Sequence, residues 1–142
     1  MKHWSLLLIA LATSAALAQP NDGVVSADEA LAMARAGKVV LIDIRTPDEW
    51  RQTGIPAGAR RANASDPQGP AAFLQEVLDI VGDHRAQPIA IICRTGNRTT
   101  KARAFLMSKG FTEVYNVKEG VAGSAAGDGW FRRGLPVEPC NC

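Results

Sequence analysis

Histidine is nearly absent from the chain, aromatic side chains make up only 6 % of it, and cysteine occurs three times. Each scarcity excludes something. With only His3 and His84, there is too little to build a cluster of His and acidic ligands, so no metal site is expected. Cys93, Cys140 and Cys142 are too few for a disulfide-stapled mini-domain, and their odd number leaves one thiol over. Charge is sparse and mixed. The formal net charge is +2 with no basic block, which leaves no electrostatic footprint for nucleic acid.

Long apolar runs are also missing, with one exception. Lys2 precedes an Ala- and Leu-rich run over residues 6–18 that ends in Ala16-Leu17-Ala18. A charged start, a short apolar centre and a small-x-small exit are the marks of a secretory signal. The run is short for a membrane span, which needs about 20 apolar residues. The expectation is cleavage after Ala18, a periplasmic or secreted protein, and no stable membrane insertion afterwards. Residues 19–137 then make one domain, and residues 138–142 a tail carrying Cys-x-Cys.

The domain alternates short apolar runs with capped helices. Ser26 and Glu29 form a capping-box pattern, followed by Ala27, Ala30, Leu31 and Ala34 at helical spacing and Gly37 as a stop. Residues 39–44 are a β-branched run of strand length. Thr46-Pro47-Asp48-Glu49 repeats the capping box with Pro at the first helical position. Residues 54–69 read as loop, with a weak strand near 59–62. Pro70 opens a helix with Phe73, Leu74, Val77, Leu78 and Val81 on one face. Residues 89–92 are continuously apolar, as a strand buried on both faces must be. Residues 99–109 are predicted helical, 114–117 a further strand, and Val24-Val25 a short one. The Gly-rich stretch 120–134 holds Trp130. This order implies an α/β fold, an open parallel sheet of about five strands flanked by helices on both faces. In such folds the working site lies beyond the carboxyl ends of the strands. Cys93 stands at that end of the most buried strand.

The segment after it is Arg94-Thr95-Gly96-Asn97-Arg98-Thr99. A short Gly-containing loop before a helix turns backbone N–H groups inward. The helix adds its positive end, and Arg94 and Arg98 add permanent charge. All three favour thiolate over thiol, the form that attacks sulfur. His84 precedes the strand that ends at Cys93 and so lies at the opposite pole, which disfavours a Cys–His pair.

Cys-Arg-x-Gly-x-Arg-Thr resembles the active loop of the rhodanese superfamily. Three further segments resemble the same family in order: Asp43-Ile44-Arg45 with Glu49-Trp50; Ile55-Pro56 followed by Gly58-Ala59; and residues 114–117 with Gly120, Trp130 and Gly134-Leu135-Pro136-Val137. Departures fall in loops. Thr53-Gly54 replaces the family's Gly-His, Ala57 is inserted, and Glu119-Gly120 stands for Gly-Gly. The resemblance implies a single-domain, cofactor-free sulfurtransferase. Cys93 would take sulfane sulfur from a small anionic donor such as thiosulfate, hold it as a persulfide among the amides of residues 94–98, and pass it to a thiophilic acceptor, cyanide or a thiol, including a thiol partner protein. Arg94 would hold the donor and Arg98 brace the loop, pairing with a carboxylate such as Glu49. Asp43 and Arg45 would stand behind them, or merely cap and pair. Four residues separate Cys93 from Arg98. The loop of cysteine phosphatases is one residue longer and fits a tetrahedral phosphate, which sets phosphatase or arsenate-reductase chemistry behind sulfur transfer. A non-catalytic, partner-binding module is the other alternative. Cys140-Asn141-Cys142 reads either as a frayed end, oxidised or free, or as a relay thiol or soft-metal clip.

Overall fold

A computed structural model describes residues 22–142. The apolar leader and the expected cleavage point after Ala18 lie outside these residues.

Both capping boxes form. Ser26 accepts from the Glu29 amide at the start of α1 (Ala27–Arg35), and the Glu29 carboxylate accepts in return from the Ser26 amide. Thr46 and Glu49 do the same for α2 (Pro47–Thr53), with Pro47 in the first turn. Each reciprocal pair satisfies two amides that the helix itself leaves without partners.

The strands β1 (Val40–Asp43), β3 (Arg60–Arg61), β4 (Ile89–Ile92) and β5 (Val114–Val117) form one parallel sheet in the order β3-β1-β4-β5. β4 pairs on both sides, with Ile92 opposite Asp43 and Val117. All four of its residues are buried, as its unbroken apolar run demands. Ile89 and Ile91 point into a core shared with Phe73 and Val77 of α3 (Pro70–Val81) and Ala102 and Leu106 of α4 (Asn97–Ser108). Ala90 and Ile92 point the other way, onto Ala27, Ala30 and Leu31 of α1 and Trp130 of α5 (Gly129–Arg132). The period-2 alternation of a strand thus feeds two cores from one sheet.

The sheet has four strands rather than about five. Val24 makes a single parallel bridge to Asn116 at the β5 edge. Gly23, at φ 65°, turns the chain just before it, and the Ser26 cap follows at once, so no ladder can extend. The weak strand expected over 59–62 shortens to Arg60–Arg61. Three elements arise where no strand or helix was expected. β2 (Ile55–Pro56) pairs antiparallel with β6 (Val137–Glu138), and α5 forms inside the Gly-rich stretch. α4 starts two residues earlier than the predicted Thr99, because Gly96 adopts the left-handed conformation that ends the preceding loop.

Glu119 ties this architecture together. It is 2 % exposed, accepts from the amides of Ala27 at 2.5 Å and Gly129 at 3.1 Å, and pairs with Arg133 at 2.8 Å. Burial pushes its carboxyl upward, but the Arg133 guanidinium and the two amides together hold it below its usual value. One carboxylate therefore fixes the starts of α1 and α5 against the segment leaving β5.

Candidate active site

The carboxyl end of β4 delivers Cys93 to the sheet's C-terminal edge, and its side chain follows Ile89 and Ile91 onto the α3–α4 face. Its sulfur accepts from the Gly96 amide at 3.2 Å, and its thiol lies 3.7 Å from Thr99 Oγ1. That hydroxyl donates in turn to the Gly96 carbonyl. Among the described residues, Gly96 supplies the one backbone amide in hydrogen-bonding geometry with the sulfur, rather than the whole run from 94 to 98. Cys93 is 1 % exposed.

The loop keeps its shape because a second loop is pressed against it. Gly96 has φ 90°, and a Cβ there would stand 2.0 Å from the Lys118 carbonyl oxygen. Gly120 has φ 70°, and its Cβ would meet the Arg94 carbonyl oxygen at 2.1 Å. The left-handed backbone and the close approach both require glycine at these two positions. Val121 and Ala122 then donate to the carbonyls of Cys93 and Arg94 at 2.9 and 3.0 Å. Sequence reasoning missed this clamp. Its one sequence signal is the Gly at 120, three positions after the last residue of a buried strand.

Arg98, on the first turn of α4, meets Glu49 through two parallel bonds of 2.6 and 2.9 Å. The bidentate fork is the strong form of this pair. Arg98 lowers the Glu49 carboxyl to about 2, against the opposing effect of partial burial. Glu49 in turn raises the guanidinium further, with smaller contributions from Cys93 and Asp43. Glu49 is also the capping glutamate of α2, so one residue caps a helix and braces the cysteine loop.

Asp43 and Arg45 are both buried and pair at 2.7 Å. Arg45 uses its remaining donors on Thr53 Oγ1 and the Gly54 carbonyl, each at 2.9 Å. The pair thereby fixes the end of α2 over the end of β1, beneath the loop rather than in contact with the sulfur. Arg94 is different. It is exposed, and its guanidinium has no hydrogen bond or ion pair among the described residues. It lines a cleft of about 510 Å³ with Arg45, Glu49, Val121, Ala122 and Phe131. A smaller cleft of about 250 Å³ adjoins the other flank, where Arg98 and Lys101 stand beside Phe73 and Ala102. Asn97 is exposed and Thr95 half-buried.

Residues 26–126 match the family model of the rhodanese-like domain, and the chain belongs to that family. It is 33 % identical over 98 residues to an uncharacterized protein of Rickettsia conorii, covering 68 % of this chain and 80 % of that one. It is 32 % identical over 94 residues to the thiosulfate sulfurtransferase GlpE of Pseudomonas syringae, covering 66 % and 77 %. The crystal structure of Rv0390 from M. tuberculosis superposes with a TM-score of 0.66 at 27 % identity, over 83 % of this chain and 98 % of that one. The family and its sulfurtransferase members support sulfurtransferase activity as the general class of this protein.

The Glu49–Arg98 bridge has a defined pH signature. A carboxyl whose folded value is depressed contributes stability above its unfolded value of about 4.5, and that contribution is lost as pH falls through about 2. Urea unfolding of the wild type and Glu49→Gln across acid pH should therefore show a gap that is full near neutrality and closes toward pH 2. A gap independent of pH would show that the ion pair does not brace the loop.

Proposed function

We propose that the protein is a thiosulfate-type sulfurtransferase working through a Cys93 persulfide. The Cys93 thiolate attacks the outer sulfur of the donor. A bond forms between the two sulfurs, the donor's S–S bond breaks, and sulfite leaves with its electron pair. An acceptor nucleophile, cyanide or a thiol, then attacks the outer sulfur of the persulfide and returns Cys93 as thiolate. This is covalent catalysis in two half-reactions. The reading rests on one observation: the sulfur at the end of the central strand is already hydrogen-bonded to the amide of Gly96, in a loop that closes after four residues on Arg98.

The remaining residues support it. A persulfide extends one atom beyond Sγ, toward the rest of the loop from Arg94 to Arg98. Arg94 carries the site's uncommitted guanidinium and is suited to the anionic end of the donor. Arg98 is held by Glu49 and contributes charge without moving. Thr95, Asn97 and Thr99 complete the loop, while Asp43 and Arg45 keep its floor in place. The burial of Cys93 favours a second reading, a partner-binding module without catalysis, and requires that side chains over the loop open for the donor.

One experiment separates the two. Incubation with thiosulfate should add the mass of one sulfur atom to the native protein, with thiocyanate released when cyanide follows. Cys93→Ser should lose both signals. A wild-type protein that gains no mass and releases no thiocyanate would leave the binding module standing, and turnover of an aryl phosphate would point to phosphatase chemistry instead.

We place this activity outside the cytoplasm, on the strength of the Lys2 start, the apolar run and the Ala-x-Ala exit. Expression of the full chain in a Gram-negative host should yield a periplasmic protein whose first residue is Gln19. An intact Met1 in the cytosolic fraction would contradict export.

A further inference from the structure

The second sulfur centre of the molecule plays no part in the cycle above. Cys140 and Cys142 form a disulfide that encloses a single residue, Asn141. A ring this small removes little chain entropy from the unfolded state, so it contributes little to holding the fold. Its surroundings are nonetheless ordered. Arg61, at the end of β3, directs Nη1 to the Cys140 sulfur at 3.0 Å. The Arg61 guanidinium lies over the ring of Trp50, 5.6 Å from its centroid, and Trp50 is itself 6 % exposed and fixed in the core. Arg61 forms no ion pair with a carboxylate among the described residues. Arg51 donates to the Cys142 carbonyl at 3.1 Å and holds the other half of the turn. Beside the disulfide lies a cleft of about 580 Å³ lined by Trp50, Arg60, Arg61, Glu76, Cys140 and Asn141.

The two sulfurs are not equivalent. Cys142 is exposed, whereas Cys140 is half-buried beneath the Arg61 guanidinium. Thiol–disulfide exchange is fastest when the attacked sulfur is accessible and the departing one is stabilised as thiolate. A neighbouring guanidinium supplies that stabilisation. Arg60 and Arg61 against Glu76 give the cleft beside Cys140 a positive balance, which draws an anionic thiol toward the disulfide.

We propose that Cys140–Cys142 is a redox-active exchange site for small anionic thiols. The thiolate of the incoming molecule attacks Cys142 Sγ. The Cys140–Cys142 bond breaks, and Cys140 departs as thiolate against Arg61. A second molecule of the thiol attacks the sulfur of the first in the mixed disulfide, releasing Cys142 as thiolate. Two thiols are oxidised to one small-molecule disulfide, and the protein's disulfide is reduced to a dithiol by the same two electrons. The site works without Cys93.

The test uses the full chain carrying Cys93→Ser, so that no sulfur chemistry at the loop contributes. The oxidised protein is mixed with reduced glutathione, quenched by alkylation at short times, and mapped by mass spectrometry. The expected result is a glutathione adduct on Cys142, formed faster than on the oxidised peptide of residues 139–142. Arg61→Gln should slow the reaction roughly fivefold or more, and Arg61→Lys should restore most of the rate. An adduct confined to Cys140, a rate equal to that of the free peptide, or an Arg61→Gln protein as fast as the wild type would overturn the proposal.

Discussion

The cysteine loop depends on a contact between two pieces of backbone. Residues 118–122 lie so close to residues 93–96 that Gly96 and Gly120 each leave no room for a Cβ. Two hydrogen bonds, from Val121 to the Cys93 carbonyl and from Ala122 to the Arg94 carbonyl, hold the pieces together. A free loop of this length samples many conformations, and ordering each residue costs about 1–2 kcal/mol. The clamp meets that cost once, in the folded state, so that the Gly96 amide already faces the Cys93 sulfur. Preorganised donors of this kind need no reorganisation at the moment of reaction.

Charge is arranged around this frame in two grades. Buried or half-buried groups are committed to one another, Asp43 to Arg45 and Glu49 to Arg98, while the buried Glu119 is held by two helix-start amides and by the exposed Arg133, which also pairs with Asp28. Removing either member of such a pair strands a charge away from water, which is why these pairs act as fixtures. The exposed Arg94 and Arg61 are not bound to carboxylates, and each stands next to one of the two sulfur centres. Both guanidiniums thus place positive charge beside a sulfur without a carboxylate to neutralise it.

Much of this was legible in the sequence, for local reasons. Two capping boxes located α1 and α2, because Ser26/Glu29 and Thr46/Glu49 act within four residues of one another. The apolar run 89–92 identified the central strand, and with it the place of Cys93 at the carboxyl end of that strand. What was not legible depends on contacts between distant segments. Nothing near Glu119 in the chain announces that it will accept from Ala27, 92 positions away. Val24-Val25 has strand composition, but the Gly23 turn and the Ser26 cap leave it one bridge. Ile55-Pro56 becomes a strand because residues 137–138 return to pair with it. The burial of Cys93 was hidden for the same reason, since its side chain joins a core that distant residues of α3 and α4 complete.

The 118–122 segment holds the cysteine loop in shape. Hydrogen exchange of the Val121 and Ala122 amides reads that contact directly, because each donates to a carbonyl of the loop and to nothing else in the fold. In the native protein both should be protected well above the level of exposed turns, and Gly120→Ala should abolish that protection while leaving β4 amides slow. Free exchange at Val121 and Ala122 in the native protein would show that this segment does not hold the loop.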